Sequence, residues 1–85
     1  MDTVAHLPHH TRAQITAVGG DRGYRRRLLE LGFLPGVEVI VRGAAPLGDP
    51  LDVEVRGCRF SLRRAEADVI GVARAGVEVA ARSPA

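Results

Sequence analysis

Ten residues, Leu28-Leu29-Glu30-Leu31-Gly32-Phe33-Leu34-Pro35-Gly36-Val37, constrain this chain more than any other stretch. Gly32 stands where a helix carrying Leu28 and Leu31 must stop, at the left-handed position that a glycine fills without a Cβ clash. Pro35-Gly36 then supplies the fixed φ and the positive φ of a type II turn. Val37, Val39 and Val41 alternate with Glu38, Ile40 and Arg42, so the turn opens directly into a strand. A helix end, a cap, a turn and a strand start thus follow one another with no linker between them.

The surrounding pattern is β-rich. Ala13, Ile15 and Ala17 alternate with Arg12, Gln14 and Thr16, which predicts a half-buried strand over residues 11–18 that Gly19-Gly20 ends. Asp21 is placed to cap a helix on which Tyr24, Leu28 and Leu31 share a face, with Leu29 widening the apolar stripe. Gly43 to Pro50 is a surface loop in which Asp49 makes the turn. Leu51, Val53 and Val55 alternate up to Arg56-Gly57, and Cys58, Phe60 and Leu62 resume the pattern, so a hairpin with a tight turn at Gly57 is expected. In that phase Cys58 belongs inside as a small apolar residue, while Asp52 faces solvent. Residues 63–67 form one helical or 3-10 turn, Val69 to Val72 a closing strand, and Gly76 to Ala81 a further short strand.

These signals give one domain over residues 11–81, an N-terminal arm over residues 1–10 anchored by Leu7, and a tail over residues 82–85. Five to six short strands with one α-helix after the first, and no strand-helix-strand spacing, point to a mainly β protein built as a small antiparallel barrel. A five-stranded OB-type barrel is the alternative, although its helix normally comes later in the chain. With 85 residues, roughly 60% of the unfolded surface is buried, enough for a single core but not for a deep enclosed site.

Composition removes several function classes. No apolar run approaches the roughly 20 residues of a membrane span, and Met1 to His6 lacks the features of a signal peptide, so the cytoplasm is the expected location. Cys58 is the only cysteine, which rules out an internal disulfide and a cysteine metal cluster. There is no phosphate-binding loop, dinucleotide fingerprint, nucleophile elbow or zinc-protease motif, and an enzyme is not expected. The only histidines are His6, His9 and His10. They are a candidate set for zinc or iron, but four ligands are lacking and Pro8 breaks the arm, so no cofactor is required and any metal would bridge molecules or be adventitious. All twelve basic residues are arginine, against ten acidic ones, a balance that favours an anionic partner surface only weakly.

Three blocks carry a family resemblance: Asp21 to Gly36, Ala45-Pro46-Leu47-Gly48-Asp49-Pro50-Leu51, and Leu62-Arg63-Arg64-Ala65-Glu66-Ala67. In this order they resemble FeoA, the small cytoplasmic component of bacterial ferrous iron transport, across about residues 7–73. The resemblance implies an SH3-like barrel and an accessory role on the cytoplasmic GTPase domain of the ferrous iron permease, at the membrane only through that permease. Similar domains end metal-dependent repressors, whose DNA-binding part is missing here. On the helix Arg25, Arg26 and Leu29, with Leu34 just beyond its cap, are the candidate docking residues, an apolar spot with an arginine rim. Arg25, Arg26 and Arg27 are also the places for an arginine that stabilises charge on a transferred phosphate. Gly32, Pro35, Gly36, Gly57 and Asp21 serve backbone geometry. Nucleic-acid binding is the competing class and is not expected, because Phe33 and Phe60 are committed to the core and leave little to stack on bases. A homodimer through a barrel edge or the arm is a third reading.

Overall fold

The computed structural model describes residues 2–74. Six antiparallel strands form one sheet: β1 (Asp2–Thr3), β2 (Arg12–Val18), β3 (Glu38–Ala44), β4 (Leu51–Val55), β5 (Cys58–Leu62) and β6 (Ile70–Arg74), in the order β1-β6-β2-β3-β4-β5. Helix α1 (Arg22–Leu31) follows β2, the short helix α2 (Arg64–Ala67) follows β5, and a 3-10 turn (Val4–His6) follows β1. The strand expected over Gly76 to Ala81 and the tail over residues 82–85 lie outside the described residues.

The joint between α1 and β3 is built as its chemistry predicts. Asp21 Oδ1 accepts the Tyr24 N–H at 3.0 Å and caps the helix start. At the other end Gly32, at φ 110°, donates to the Leu29 carbonyl, and Phe33 donates to the Leu28 carbonyl, each at 3.1 Å. This pair of reversed bonds satisfies two carbonyls that the helix would leave open. Val37 N–H then bonds the Leu34 carbonyl at 3.1 Å around Pro35 and Gly36, the latter at φ 91°, which is the expected type II turn. Gly36 N–H to the Ile15 carbonyl and Ile15 N–H to the Val37 carbonyl, 2.7 and 2.9 Å, fasten the turn to β2.

Two departures come from bulges and edges. In β2 the pairing slips between Ile15 and Ala17, so Val18 turns inward, 8% exposed, and Ala17 faces solvent, contrary to a strict alternation. The β4–β5 hairpin closes through Arg56 and Gly57, at φ 54° and 83°, and pairs Val55 with Cys58. Val55 is buried, yet Cys58, at the hairpin end of the outermost strand β5, is exposed, and burial rises along that strand to Leu62.

The first residues are not an arm. Asp2 and Thr3 pair with Val72 and Gly71, and Val4 (fully buried) and Leu7 both enter the core. The helix therefore follows the second strand rather than the first. β1 and β5 are the two ends of the ladder, and α2 packs against the 3-10 turn across that seam. Phe33 is fully buried at the centre of a core that includes Ile15, Leu28, Val39, Val53, Leu62 and Ile70, and its ring lies 5.4 Å from that of Phe60. Each such side chain contributes about 1.5–3 kcal/mol on leaving water.

Candidate functional site

Helix α1 buries Leu28 and packs Leu29 partly against the core. Leu31, expected inside, is 37% exposed, and so is Leu34. The reversal at Gly32 accounts for this: it returns the chain beneath the helix end, and Phe33 occupies the core there. The exposed apolar pair is thus Leu31 with Leu34, joined to the expected set by Leu34 alone.

The arginines of α1 differ in their surroundings. Arg25 Nε donates to the Val18 carbonyl at 3.1 Å, which fixes that side chain against β2. Arg26 lies 3.9 Å from Glu30, one turn on, with both side chains largely in water, a pair worth a few tenths of a kcal/mol. Arg27 lies 3.7 Å from the carboxylate of Glu66 in α2. Glu66 is only 8% exposed and also accepts the Arg63 N–H at 2.9 Å. Arg27 is the residue that sequence spacing alone did not single out for the docking rim, and its distance from Glu66 in sequence hides the contact.

Between α1, the loop at Asp49–Pro50 and α2 lies an open groove of about 550 Å³, lined by Arg27, Asp49, Pro50, Ser61, Arg63 and Glu66. Asp49 does more than make the turn: its Oδ1 accepts the Arg64 N–H at 3.1 Å and so also caps α2. Asp52 is held by Arg59 on the neighbouring strand through both guanidinium contacts, and the hydrogen bond from Arg59 lowers its carboxyl below the usual range.

The three histidines are not brought together. His6, His9 and His10 are all exposed, and His6 Nδ1 faces Thr3 Oγ1 at 3.1 Å and Asp68 Oδ1 at 3.9 Å instead of another histidine. Among the described residues no group of three or more His, Cys, Asp or Glu side chains converges within the chain. Of the aromatic rings, Phe33 is buried, while Phe60 and Tyr24 are half-buried. No helix among the described residues is long and apolar enough to cross a membrane.

A six-stranded antiparallel sheet with helix α1 inserted between β2 and β3 is an SH3-like fold, and it leaves a polar groove and exposed leucines at the helix end on its surface. A family model described as the FeoA domain matches residues 3–74, and the chain belongs to the FeoA family. It is 39% identical over 61 residues to an Fe(2+) transport protein A/Fe(2+) transporter FeoB fusion protein of Porphyromonas gingivalis, a match that takes in 72% of this chain and only 7% of that relative's length. The solution structure of FeoA from Chlorobium tepidum matches with a TM-score of 0.82 and 36% identity, over 87% of this chain and 70% of that one. The zinc-complexed crystal structure of Stenotrophomonas maltophilia FeoA, described as a prokaryotic SH3 domain protein, matches with a TM-score of 0.77 and 39% identity, over 86% and 91% of the two chains.

Proposed function

We propose that this chain is a cytoplasmic, non-catalytic accessory protein of ferrous iron uptake, acting by docking on the cytoplasmic GTPase part of the ferrous iron permease. The observation that carries this reading is the Porphyromonas gingivalis relative, in which an FeoA segment and the FeoB transporter share one polypeptide. Segments that share one polypeptide work beside each other, and a surface on this chain that meets the transporter is the expected counterpart of that arrangement.

The end of α1 is the surface best suited to that contact. Leu31 and Leu34 provide exposed apolar area, and Arg26 and Arg27 bring charge beside it, the mix of apolar centre and polar rim found at small interfaces. Arg25 and Leu29 support the patch from the barrel side, the first through Val18 and the second through the core.

A pull-down of the full chain with the intact permease in detergent, with and without guanine nucleotide, followed by a GTPase assay, tests the reading. Retention on the permease is expected, with Leu34→Glu abolishing it while the thermal midpoint stays put. Binding without a change in hydrolysis rate would assign an assembly role, and a faster rate an activating one. Failure of the wild-type chain to bind would overturn the proposal.

A further inference from the structure

The loop Ala45–Pro50 holds Leu47 at 96% exposure, against 37% for Leu31 and Leu34. A leucine so placed is unremarkable on a loose loop, which can fold it away part of the time. This loop is tied down. Ala45 N–H bonds the Pro50 carbonyl at 2.9 Å, and Gly48 N–H bonds the Ala45 carbonyl at 2.7 Å. Arg64 then reaches over from α2. Its Nε donates to the Gly48 carbonyl at 2.7 Å, its backbone N–H to Asp49 Oδ1 at 3.1 Å, and its Nη1 to the Ala5 carbonyl at 2.8 Å. One side chain thus joins the loop, α2 and the 3-10 turn. Gly48, at φ 87°, completes the arrangement, since a Cβ there would sit 3.8 Å from the Arg64 guanidinium in a backbone region that L residues rarely adopt.

The foot of this loop forms one wall of the groove. Both carboxylates in the groove already have donors: Asp49 accepts from Arg64, and Glu66 accepts from Arg63 and faces Arg27. The guanidinium groups are more open. The Arg27 side chain is 68% exposed, and Arg63 is exposed with no carboxylate partner among the described residues. An apolar knob held in water on the loop whose Asp49–Pro50 end lines the same groove as Arg27 and Arg63 is complementary to a protein surface that offers an apolar pocket edged by carboxylates.

We propose that Leu47 is an apolar anchor that enters such a pocket on the permease's cytoplasmic part, that Arg63 meets the carboxylates at its edge, and that Arg64 is a positioning residue that keeps the loop in its binding shape. The anchor rests on the permease being the partner, and it adds a contact separate from the α1 patch. Rigidity matters because a loop ordered beforehand loses little entropy on docking.

The test is the affinity of the full 85-residue chain for the intact permease in detergent, measured by calorimetry. Leu47→Asp is expected to weaken binding roughly tenfold or more with no change in thermal midpoint. Arg63→Glu is expected to weaken it and to flatten its salt dependence. Arg64→Ala is expected to weaken binding in the wild-type background but not in the Leu47→Asp background, because its effect passes through the loop. Unchanged affinity for Leu47→Asp, with loss for Leu34→Glu, would overturn the anchor and leave the permease as partner. Additive losses for Arg64→Ala and Leu47→Asp would overturn the positioning role. A wild-type chain that does not bind would overturn the anchor together with the choice of partner.

Discussion

Phe33 donates its backbone N–H to the carbonyl of Leu28 at 3.1 Å, and both side chains lie in the core. The bond exists only because Gly32, between them, takes φ 110°. A Cβ added at Gly32 would meet nothing within 4 Å, so the penalty for a side chain there is conformational rather than steric crowding. Gly32→Ala is expected to lower stability by about 1–2 kcal/mol, and Gly32→Asn by less, since asparagine tolerates the left-handed region better. Urea denaturation of the three proteins checks this; equal stability would mean the helix ends differently in solution.

The two phenylalanines share one contact but not one environment. Phe33 is fully buried, whereas Phe60, 5.4 Å away, is half-buried on β5. Phe33→Ala is expected to cost about 3–5 kcal/mol, the range for deleting a buried aromatic ring. Phe60→Ala should cost clearly less, because water can reach the space it leaves. Comparable losses in chemical denaturation would contradict the burial difference.

The parts legible in the sequence were those decided locally. Gly32, Pro35-Gly36 and Gly57 set their backbone by covalent geometry, and Asp21 captures an N–H three residues away. The strand alternation located most of the core for the same reason. What stayed hidden depended on partners far along the chain. Asp2 and Thr3 carry no periodicity, and they become a strand only against Gly71 and Val72. Arg27 gains its role from Glu66, and Asp49 from Arg64. Leu31 kept the helical spacing of a core residue, but the reversal at Gly32 gave its place to Phe33. The three histidines are close in sequence, and closeness in sequence did not make a cluster.

Cys58 illustrates the limit of a phase argument. It shares the phase of Phe60 and Leu62 yet sits at the hairpin end of β5, exposed. A thiol reagent such as Ellman's reagent should therefore titrate about one thiol per chain in the folded protein, without denaturant. Reaction that began only on unfolding would return Cys58 to the interior.

The caps on the two helices are expected to differ in consequence. Asp21→Ala removes the acceptor for the Tyr24 N–H and should cost about 1 kcal/mol. Asp49→Ala removes the acceptor for the Arg64 N–H from outside the helix, and in the same step loosens the loop that carries Leu47. A similar loss of stability is expected, accompanied by faster hydrogen exchange at Ala45 and Gly48, whose N–H groups close the loop. Exchange at those two amides that matched the wild-type protein would show that Arg64 holds the loop without Asp49.

Asp52 and Arg59 predict how the sheet responds to acid. The hydrogen bond from Arg59 holds the Asp52 carboxyl below its ordinary value. The unfolded chain therefore binds that proton more tightly than the folded one. The resulting stability is fully present above about pH 3.9, the unfolded value, and is lost as the pH falls through the lower folded value. The Arg59 side chain is 57% exposed and that of Asp52 42%, so salt screens the pair and its contribution is small. Asp52→Asn should be slightly less stable than wild type at neutral pH, and the two stability curves should converge as the pH falls below 3.9. The difference at neutral pH should also shrink in high salt. Parallel curves across the acid range would show that Asp52 gains nothing from Arg59 in solution.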